Sequence, residues 1–505
     1  MEMAWKLPKR KRTIMPKAAG FLPFIEKLRR WLAIASLMLA VSAATALAQQ
    51  IGRPLWQDLL YDPVTALAVI SDVSDDGTPD VVAGTDGNMV FCIESRTGGQ
   101  WWSWPPPGEL NTGGSVWSVA GIGDVNADGQ TDVVVGTASN EIFCLWGGSP
   151  EGVGIVLWRT TAGADVWTLA APGDLNGDSI PDVVAGTAAN TVTGLSGLNG
   201  AHIWTANTDS DVYSLIAVAD LTGDGYRELV AGCGSGKIYC LNGATGGPIW
   251  THAAPGTVWA LEAFTDLDGD GLEEILAGRG NNQVECIKTE SLAGNRHLWS
   301  LDTLGDVRAL QAATDLNGDG TADFFCGSAD NHVRLGSGVS GEILWETNLG
   351  GEVFALDRLP DLNCDGRTDL VCGTAMSTTV ALAGRQGSIL WQYPLETSGS
   401  VRHAAVVADV TEDGVPEVVI GAENGTATLL DGAAGLPVPD CGAGGLLCEH
   451  LPGVADATLV LEVLAGVRSA SNPQQWGFCP LGDLNRDGQV DLKDAIGVLE
   501  TTVGR

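Results

Sequence analysis

The chain has 505 residues, 45% hydrophobic and 18% charged, which is enough apolar material for a large core and too much for an intrinsically disordered chain. Its 62 acidic residues outweigh 27 basic ones, and the formal net charge of −35 argues against a nucleic-acid or anionic-lipid partner. Glycine is abundant at 68 residues and the aromatics are mostly Trp, 17 against 5 Tyr and 9 Phe, as suits a turn-rich fold.

Residues 1–30 carry nine Lys or Arg and two Glu. An apolar run follows from Trp31 to about Ala44, and Ala46-Leu47-Ala48 supplies a small-residue cleavage site. This order predicts a secretory signal peptide over residues 1–48. An uncleaved anchor is the other reading, but the run is short for a bilayer span. Removal of residues 1–48 changes the formal charge to −42. The expected location is extracellular or at the cell surface, with the periplasm as the other exported compartment. Export permits disulfides. Cys92, Cys144, Cys240 and Cys286, however, recur at one place in four repeats amid apolar neighbours and read as buried thiols. Cys441, Cys448 and Cys479 cluster near the C-terminus, where one disulfide is expected.

From residue 72 a nine-residue acidic unit recurs eight times, at a spacing of 46 to 52 residues. Its positions 1, 3, 5 and 9 are Asp72, Ser74, Asp76 and Asp80 in DVSDDGTPD, then Asp124, Asn126, Asp128 and Asp132 in DVNADGQTD. They are Asp174, Asn176, Asp178 and Asp182 in DLNGDSIPD, and Asp220, Thr222, Asp224 and Glu228 in DLTGDGYRE. They continue as Asp266, Asp268, Asp270 and Glu274 in DLDGDGLEE, and Asp315, Asn317, Asp319 and Asp323 in DLNGDGTAD. The last two sets are Asp361, Asn363, Asp365 and Asp369 in DLNCDGRTD, and Asp409, Thr411, Asp413 and Glu417 in DVTEDGVPE. Gly holds position 6 in seven units, Ser179 being the exception. Oxygen ligands around a sharp turn suit calcium, which takes about six to eight oxygens, better than magnesium, which demands a small octahedron. A backbone carbonyl at position 7 and a water would complete the shell. The units are not EF-hands, because position 12 is apolar throughout, from Ala83 to Ile420. Asp, Asn and Gly also favour Asx-type turns without metal. Three carboxylates kept in each of eight loops nevertheless repel one another unless a cation lies between them.

Eight residues before each first Asp stands a Val: Val64, Val116, Val166, Val212, Val258, Val307, Val353 and Val401. After each ninth position comes a short apolar run ending in Gly, such as VVAG from Val81. Such runs between turn residues read as strands. Each unit then holds four strands, and a period of this length predicts a β-propeller. Closing strands read G-x-x-x-W, from Gly98–Trp102 to Gly387–Trp391, with the Trp299 unit one residue looser. The eighth acidic unit lacks its Trp, and the missing motif stands at the other end of the chain as Gly52–Trp56. The sequence therefore predicts an all-β, eight-bladed propeller over residues 51–436, its last blade completed by the N-terminal strand, which leaves no unpaired edge.

The acidic loop with its apolar strand and Gly resembles the FG-GAP repeat of integrin α-subunit propellers and exported bacterial relatives. The G-x-x-x-W strands resemble the tryptophan-docking motif of quinoprotein-like propellers. The resemblance implies calcium in the blade loops and implies no activity, because the fold hosts enzymes and scaffolds alike.

A Gly- and Pro-rich linker, residues 437–453, leads to a C-terminal module over residues 454–505. Asp483, Asn485, Asp487 and Asp491 repeat the loop and are joined by Asp494 at position 12, and Leu492, Ile496, Leu499 and Val503 follow at helical spacing. This predicted α-helical calcium-loop module resembles half of a type I dockerin, with VADATLVLEVLAG as the other half. The resemblance implies a cohesin partner, yet Leu492 and Lys493 stand where dockerins present hydroxyl residues. A small helical cap holding one calcium is the alternative.

The residue after each recurrent Val is Thr65, Trp117, Trp167, Tyr213, Trp259, Arg308, Phe354 and Arg402. These occupy one ring position on the strand expected to be innermost. They read either as packing between blades or as a ligand site bordered by Trp117, Trp167, Trp259, Arg308 and Arg402, suited to a sugar or an acidic group. No nucleophile, zinc-protease or phosphate-loop motif appears. The expectation is a non-enzymatic, calcium-binding scaffold or binding protein for a protein or polysaccharide ligand. The rival is an exported propeller enzyme, either a polysaccharide lyase or a quinone-dependent dehydrogenase. The adjacent Cys pair typical of the latter is missing.

Overall fold

A computed structural model of the chain describes residues 50–105, 113–290 and 296–433, which lie within one compact unit running from Gln50 to Gly445. The predicted signal segment, the linker and the C-terminal module with Asp483, Asn485, Asp487, Asp491 and Asp494 lie outside the described residues.

The described residues form eight sheets of four strands, one of them carrying a fifth. Blades 1 to 4 open with the strands Val64–Val69, Val116–Gly123, Val166–Gly173 and Val212–Val218. Blades 5 to 8 open with Val258–Phe264, Val307–Ala312, Val353–Leu359 and Val401–Val406. These first strands pack against one another around the axis, the first against the last, and so wall a central channel. The second strands are buried along their whole length, as in Asp132–Thr137 and Asp369–Thr374. That is why they read as unbroken apolar runs rather than as alternating patterns. The outer strands alternate, as in Pro248–Ala253, because one face meets the next blade and the other meets solvent.

The two recurrent sequence signals turn out to be the joints between blades. At the inner joint, the Gly that ends each apolar run receives the Val of the following blade. A Cβ on Gly84 would lie 2.3 Å from Val116 Cγ1, and one on Gly232 would lie 2.5 Å from Val258 Cγ1. The eight Val are fully buried, each contributing about 1.5 kcal/mol or more. At the outer joint, the closing-strand Trp donates its indole N–H to a carbonyl in the next blade. Trp158 reaches Gly197 O at 2.6 Å, Trp204 reaches Gly243 O at 2.7 Å and Trp299 reaches Gly338 O at 2.9 Å. The Gly of the next G-x-x-x-W motif lies flat on the same indole, and a Cβ on Gly200 would meet Trp158 at 2.5 Å. In blade 5 this role passes to Arg296, whose guanidinium stacks 4.5 Å from the Trp250 ring centre.

Pro54–Leu59 pairs antiparallel with Thr426–Leu430, with Trp56 opposite Leu429, so the N-terminal strand completes blade 8 as expected. Trp56 then donates to Ser95 O in blade 1 at 2.7 Å, which closes the ring. The preceding Gln50–Ile51 was not anticipated. It pairs parallel with the outer strand of blade 7, Gln50 opposite Trp391, and so the chain start clasps two blades. Gly52 makes the crossing, with its N–H on Gln392 O at 2.7 Å and a Cβ there only 2.8 Å from Tyr393 Cβ.

Candidate functional site

The acidic loops leave the first strands at one end of the channel, and the ring residues stand at the other end. In the blade 6 loop the Asp315 carboxylate accepts the Gly318 N–H at 2.5 Å, the Asp319 N–H at 3.2 Å and the Gly320 N–H at 2.9 Å. Asp319 accepts from Thr321 N–H at 2.9 Å and Asn317 Oδ1 accepts from Asp319 N–H at 2.7 Å. Gly320 has φ +93°, the left-handed turn that favours Gly at position 6, and Ser179 takes the same region at φ 68°. These N–H bonds hold the Asp315 carboxyl below its usual range, Gly320 first.

Position 9 behaves differently. Asp80, Asp132, Asp182, Asp323, Asp369 and their Glu counterparts are buried, and each accepts the backbone N–H of position 2, for instance Leu362 to Asp369 at 2.7 Å. Burial pushes Asp80 and Asp132 up to about 6, and Glu274 and Asp369 up to about 7, with the neighbouring loop carboxylates adding to the rise.

Three loops gather carboxylate oxygens within 4.8 Å of one another among the described residues: Asp266/Asp268/Asp270/Glu274, Asp220/Asp224/Glu228 and Asp409/Asp413/Glu417. These are the three loops with Glu at position 9, whose extra methylene carries the buried carboxylate into the loop centre. Glu274 Oε1, Asp76 Oδ2 and Asp365 Oδ2 are buried without a hydrogen-bond partner. All-oxygen donors with such orphaned atoms fit a hard cation such as calcium. The Asx-type bonds coexist with this geometry and do not compete with it. In the blade 5 loop Lys288 Nζ also lies 2.5 Å from Asp268 Oδ2.

At the opposite end the ring position brings its residues together. Trp117, Trp167, Tyr213 and Trp259 follow one another with ring centres 5.0, 5.6 and 5.1 Å apart. The Arg308 guanidinium lies 4.2 Å over Trp259, and that of Arg402 lies 4.8 Å over Phe354. Trp117, Trp167, Trp259, Arg308 and Arg402 all border one open cavity of about 980 Å³. The rings therefore pack between blades and line the mouth at once. Each guanidinium has a carboxylate partner that sequence reasoning missed: Asp306 at 3.2 Å from Arg308 and Glu423 at 2.5 Å from Arg402. His403 also lines the mouth, and burial pushes its imidazole down to about 4.

A second polar group went unread. Arg279, fully buried at the end of the second strand of blade 5, meets Glu285 Oε2 at 2.5 Å. Glu285 Oε1 lies 2.9 Å from His252 Nε2 of blade 4 and 3.0 Å from His297 Nδ1. The available signal was Arg279 itself, because the equivalent positions hold Thr85, Thr137, Thr187, Cys233, Ser328, Thr374 and Ala422. The expected buried thiols Cys92, Cys144, Cys240 and Cys286 are free and buried.

A family model described as the FG-GAP-like repeat matches residues 72–135 and 124–185. Comparison with curated proteins finds no match. Among solved structures, Sqt1 of Saccharomyces cerevisiae is similar at 13% identity and a TM-score of 0.62, covering 75% of this chain and 98% of its own. BamB from Moraxella catarrhalis is similar at 17% identity and a TM-score of 0.51, covering 75% and 100%. Chaetomium thermophilum Sqt1 bound to the N-terminus of the ribosomal protein L10 is similar at 12% identity and a TM-score of 0.58, covering 75% and 100%. At these identities the likeness is one of fold. The chain carries FG-GAP-like repeats in an eight-bladed β-propeller.

Proposed function

We propose that this protein is an exported, calcium-stabilised propeller that works by binding rather than catalysis, with a protein or polysaccharide ligand held at the aromatic mouth of the channel. The observation that carries the reading is the mouth itself. Four aromatic rings in sequence and two guanidiniums border one cavity of about 980 Å³. Cavities of this size with a few fixed polar groups are where ligands bind. The acidic loops at the far end take a supporting role, each calcium ion neutralising carboxylates that otherwise repel. The C-terminal loop from Asp483 to Asp494 would hold one more ion, as a dockerin-like half or as a helical cap. The Sqt1 structure, bound to a segment of another protein, is a precedent of fold only.

The test is an array of glycans and peptides probed with the protein in millimolar calcium. The probing is repeated with an Arg308→Ala/Arg402→Ala variant of unchanged fold. Ligands captured by the native protein and lost by the variant support the mouth as the site. Ligands captured equally by both place the site elsewhere on the molecule.

A further inference from the structure

Arg402, at the ring position of blade 8, pairs with Glu423 at 2.5 Å, and Glu423 is the first residue of the turn after the second strand of that blade. The equivalent turn residue is Ala138, Ala188, Gly234, Gly280, Ala329 or Ala375 in six other blades. Blade 1 alone repeats the acid, as Asp86. Its ring residue, however, is Thr65 rather than Arg. The acid is kept and its cation is missing.

Thr65 cannot take the cation's place. Its hydroxyl turns inward and donates to Val116 O at 2.5 Å, with Gly84 O a second acceptor within reach at 3.2 Å. The short side chain leaves a notch in the mouth between Arg402 and Trp117, and Thr65, Asp86, Trp117, Arg402 and Glu423 all border the same cavity. Asp86 is exposed there, and among the described residues its carboxylate has no hydrogen-bond or ion-pair partner. Glu423 is already engaged by Arg402 and by the Ser400 N–H at 3.3 Å. Elsewhere in the ring a guanidinium takes a carboxylate and the aromatic face of the preceding blade: Arg308 has Asp306 and Trp259, and Arg402 has Glu423 and Phe354. At Thr65 the preceding residue is Arg402, already neutralised by Glu423, and the aromatic neighbour is Trp117 of the following blade.

We propose that this notch binds a cationic side chain, a guanidinium or primary ammonium carried by a peptide, paired with Asp86 and flanked by the indole of Trp117. The proposal rests on the reading of the mouth as the ligand site and names the chemistry of its occupant. A planar guanidinium satisfies the notch best, by a forked bond to Asp86 and stacking on the indole. A free carboxylate or phosphate is repelled by Asp86. An apolar side chain leaves Asp86 unpaired and desolvated, which is unfavourable.

The probe is a terminally blocked Ala-Arg-Ala tripeptide, with Ala-Lys-Ala and the uncharged Ala-citrulline-Ala as comparisons, titrated in millimolar calcium and followed by calorimetry and by saturation-transfer NMR. The Arg peptide is expected to bind about tenfold or more tightly than the citrulline one, the scale of a charge-assisted hydrogen bond. Asp86→Asn should remove that preference. Thr65→Arg should fill the notch with the chain's own cation and abolish binding, with retention of the fold checked by circular dichroism because the Thr65 hydroxyl bond to Val116 O is lost. Equal binding of the Arg and citrulline peptides, no binding of either, or Arg-peptide binding unaltered in both variants overturns the proposal. If array ligands depend on Arg308 and Arg402 but not on Asp86 or Thr65, the mouth stands and the notch fails. If Asp86 and Thr65 control binding of the Arg peptide while array ligands ignore Arg308 and Arg402, the wider mouth reading fails instead.

Discussion

Val64 lies against Gly421, with its Cγ1 only 2.6 Å from where a Cβ on that glycine would sit. This contact joins the first innermost strand to the last blade, and it repeats the joint found at every other blade boundary. An added methyl has nowhere to go, because Val64 is itself fully buried and is held by its neighbours. Gly421→Ala should therefore cost about 1–3 kcal/mol through overpacking. Denaturant unfolding in millimolar calcium measures it. A change within a few tenths of a kcal/mol would show that the ring yields at its seam.

Closure depends on more chain than the one strand the G-x-x-x-W motif identified. A chain beginning at Leu60 loses both Pro54–Leu59 and the two-residue ladder on blade 7. Blade 8 is then one strand short, with the buried Thr426–Leu430 as a bare edge, and such edges pair with other molecules. We expect a lowered melting temperature and aggregation in light scattering. Changing only Gln50 and Ile51 to glycine should give a smaller loss, since Trp56 still reaches Ser95. A monomeric truncated chain of native stability would rule out this account of the seam.

The blade count and the seam were legible because their joints use residues of fixed size at fixed spacing: a Val, a Gly, a Trp. The mouth was legible as a set of residues for the same reason, since the ring position follows each Val. What it pairs with was not. Asp306 lies two residues from Arg308, yet Glu423 lies 21 residues from Arg402, and only the turn of the blade brings them together. Gln50–Ile51 was unreadable because two residues carry no period. Arg279 stood out in the sequence, but its partner Glu285 comes from the neighbouring strand, and the His252 that pairs with Glu285 comes from a neighbouring blade.

Glu285 is the anion that makes a fully buried Arg279 tolerable. Removing one partner of a buried pair leaves an uncompensated charge, typically at about 3–5 kcal/mol. Glu285→Ala should lose stability on that scale, whereas Glu290→Ala, on a more exposed carboxylate 4.0 Å from Lys288, should be near neutral. Thermal melts of the two variants side by side decide it. Equal losses would mean that Arg279 is neutralised from elsewhere.

One loop should be dispensable where all are not. Asp319→Ala removes a ligand from the blade 6 loop only, and its side chain is exposed at the loop tip, so no core packing is lost. We expect calcium stoichiometry to fall by one ion, with the melting temperature in calcium lowered by a few degrees and the fold retained. Equilibrium dialysis against calcium reads the first and calorimetry the second. An unchanged stoichiometry would remove this loop from the calcium assignment.

The buried position-9 carboxylates set a pH dependence that calcium should erase. In the folded chain Asp80 and Asp132 are raised to about 6, and Glu274 and Asp369 to about 7, all by burial first. A raised carboxyl pKa means that the fold prefers the protonated form. The stability these groups lend is full below the ordinary carboxylate range and is lost as pH rises through about 6 to 7. Groups held low do not interfere, because Glu285 and Asp330, lowered to about 2, keep their contribution above the ordinary carboxylate range and lose it only as pH falls below that range. In excess chelator the melting temperature should therefore fall steadily between about pH 5 and pH 8. Calcium binds the ionised loops and cancels their mutual repulsion, so in millimolar calcium the fall should vanish or reverse, and the gap between the two curves should widen with pH. Parallel curves with and without calcium would mean that no ion reaches these carboxylates, and the metal reading of the loops would have to be given up.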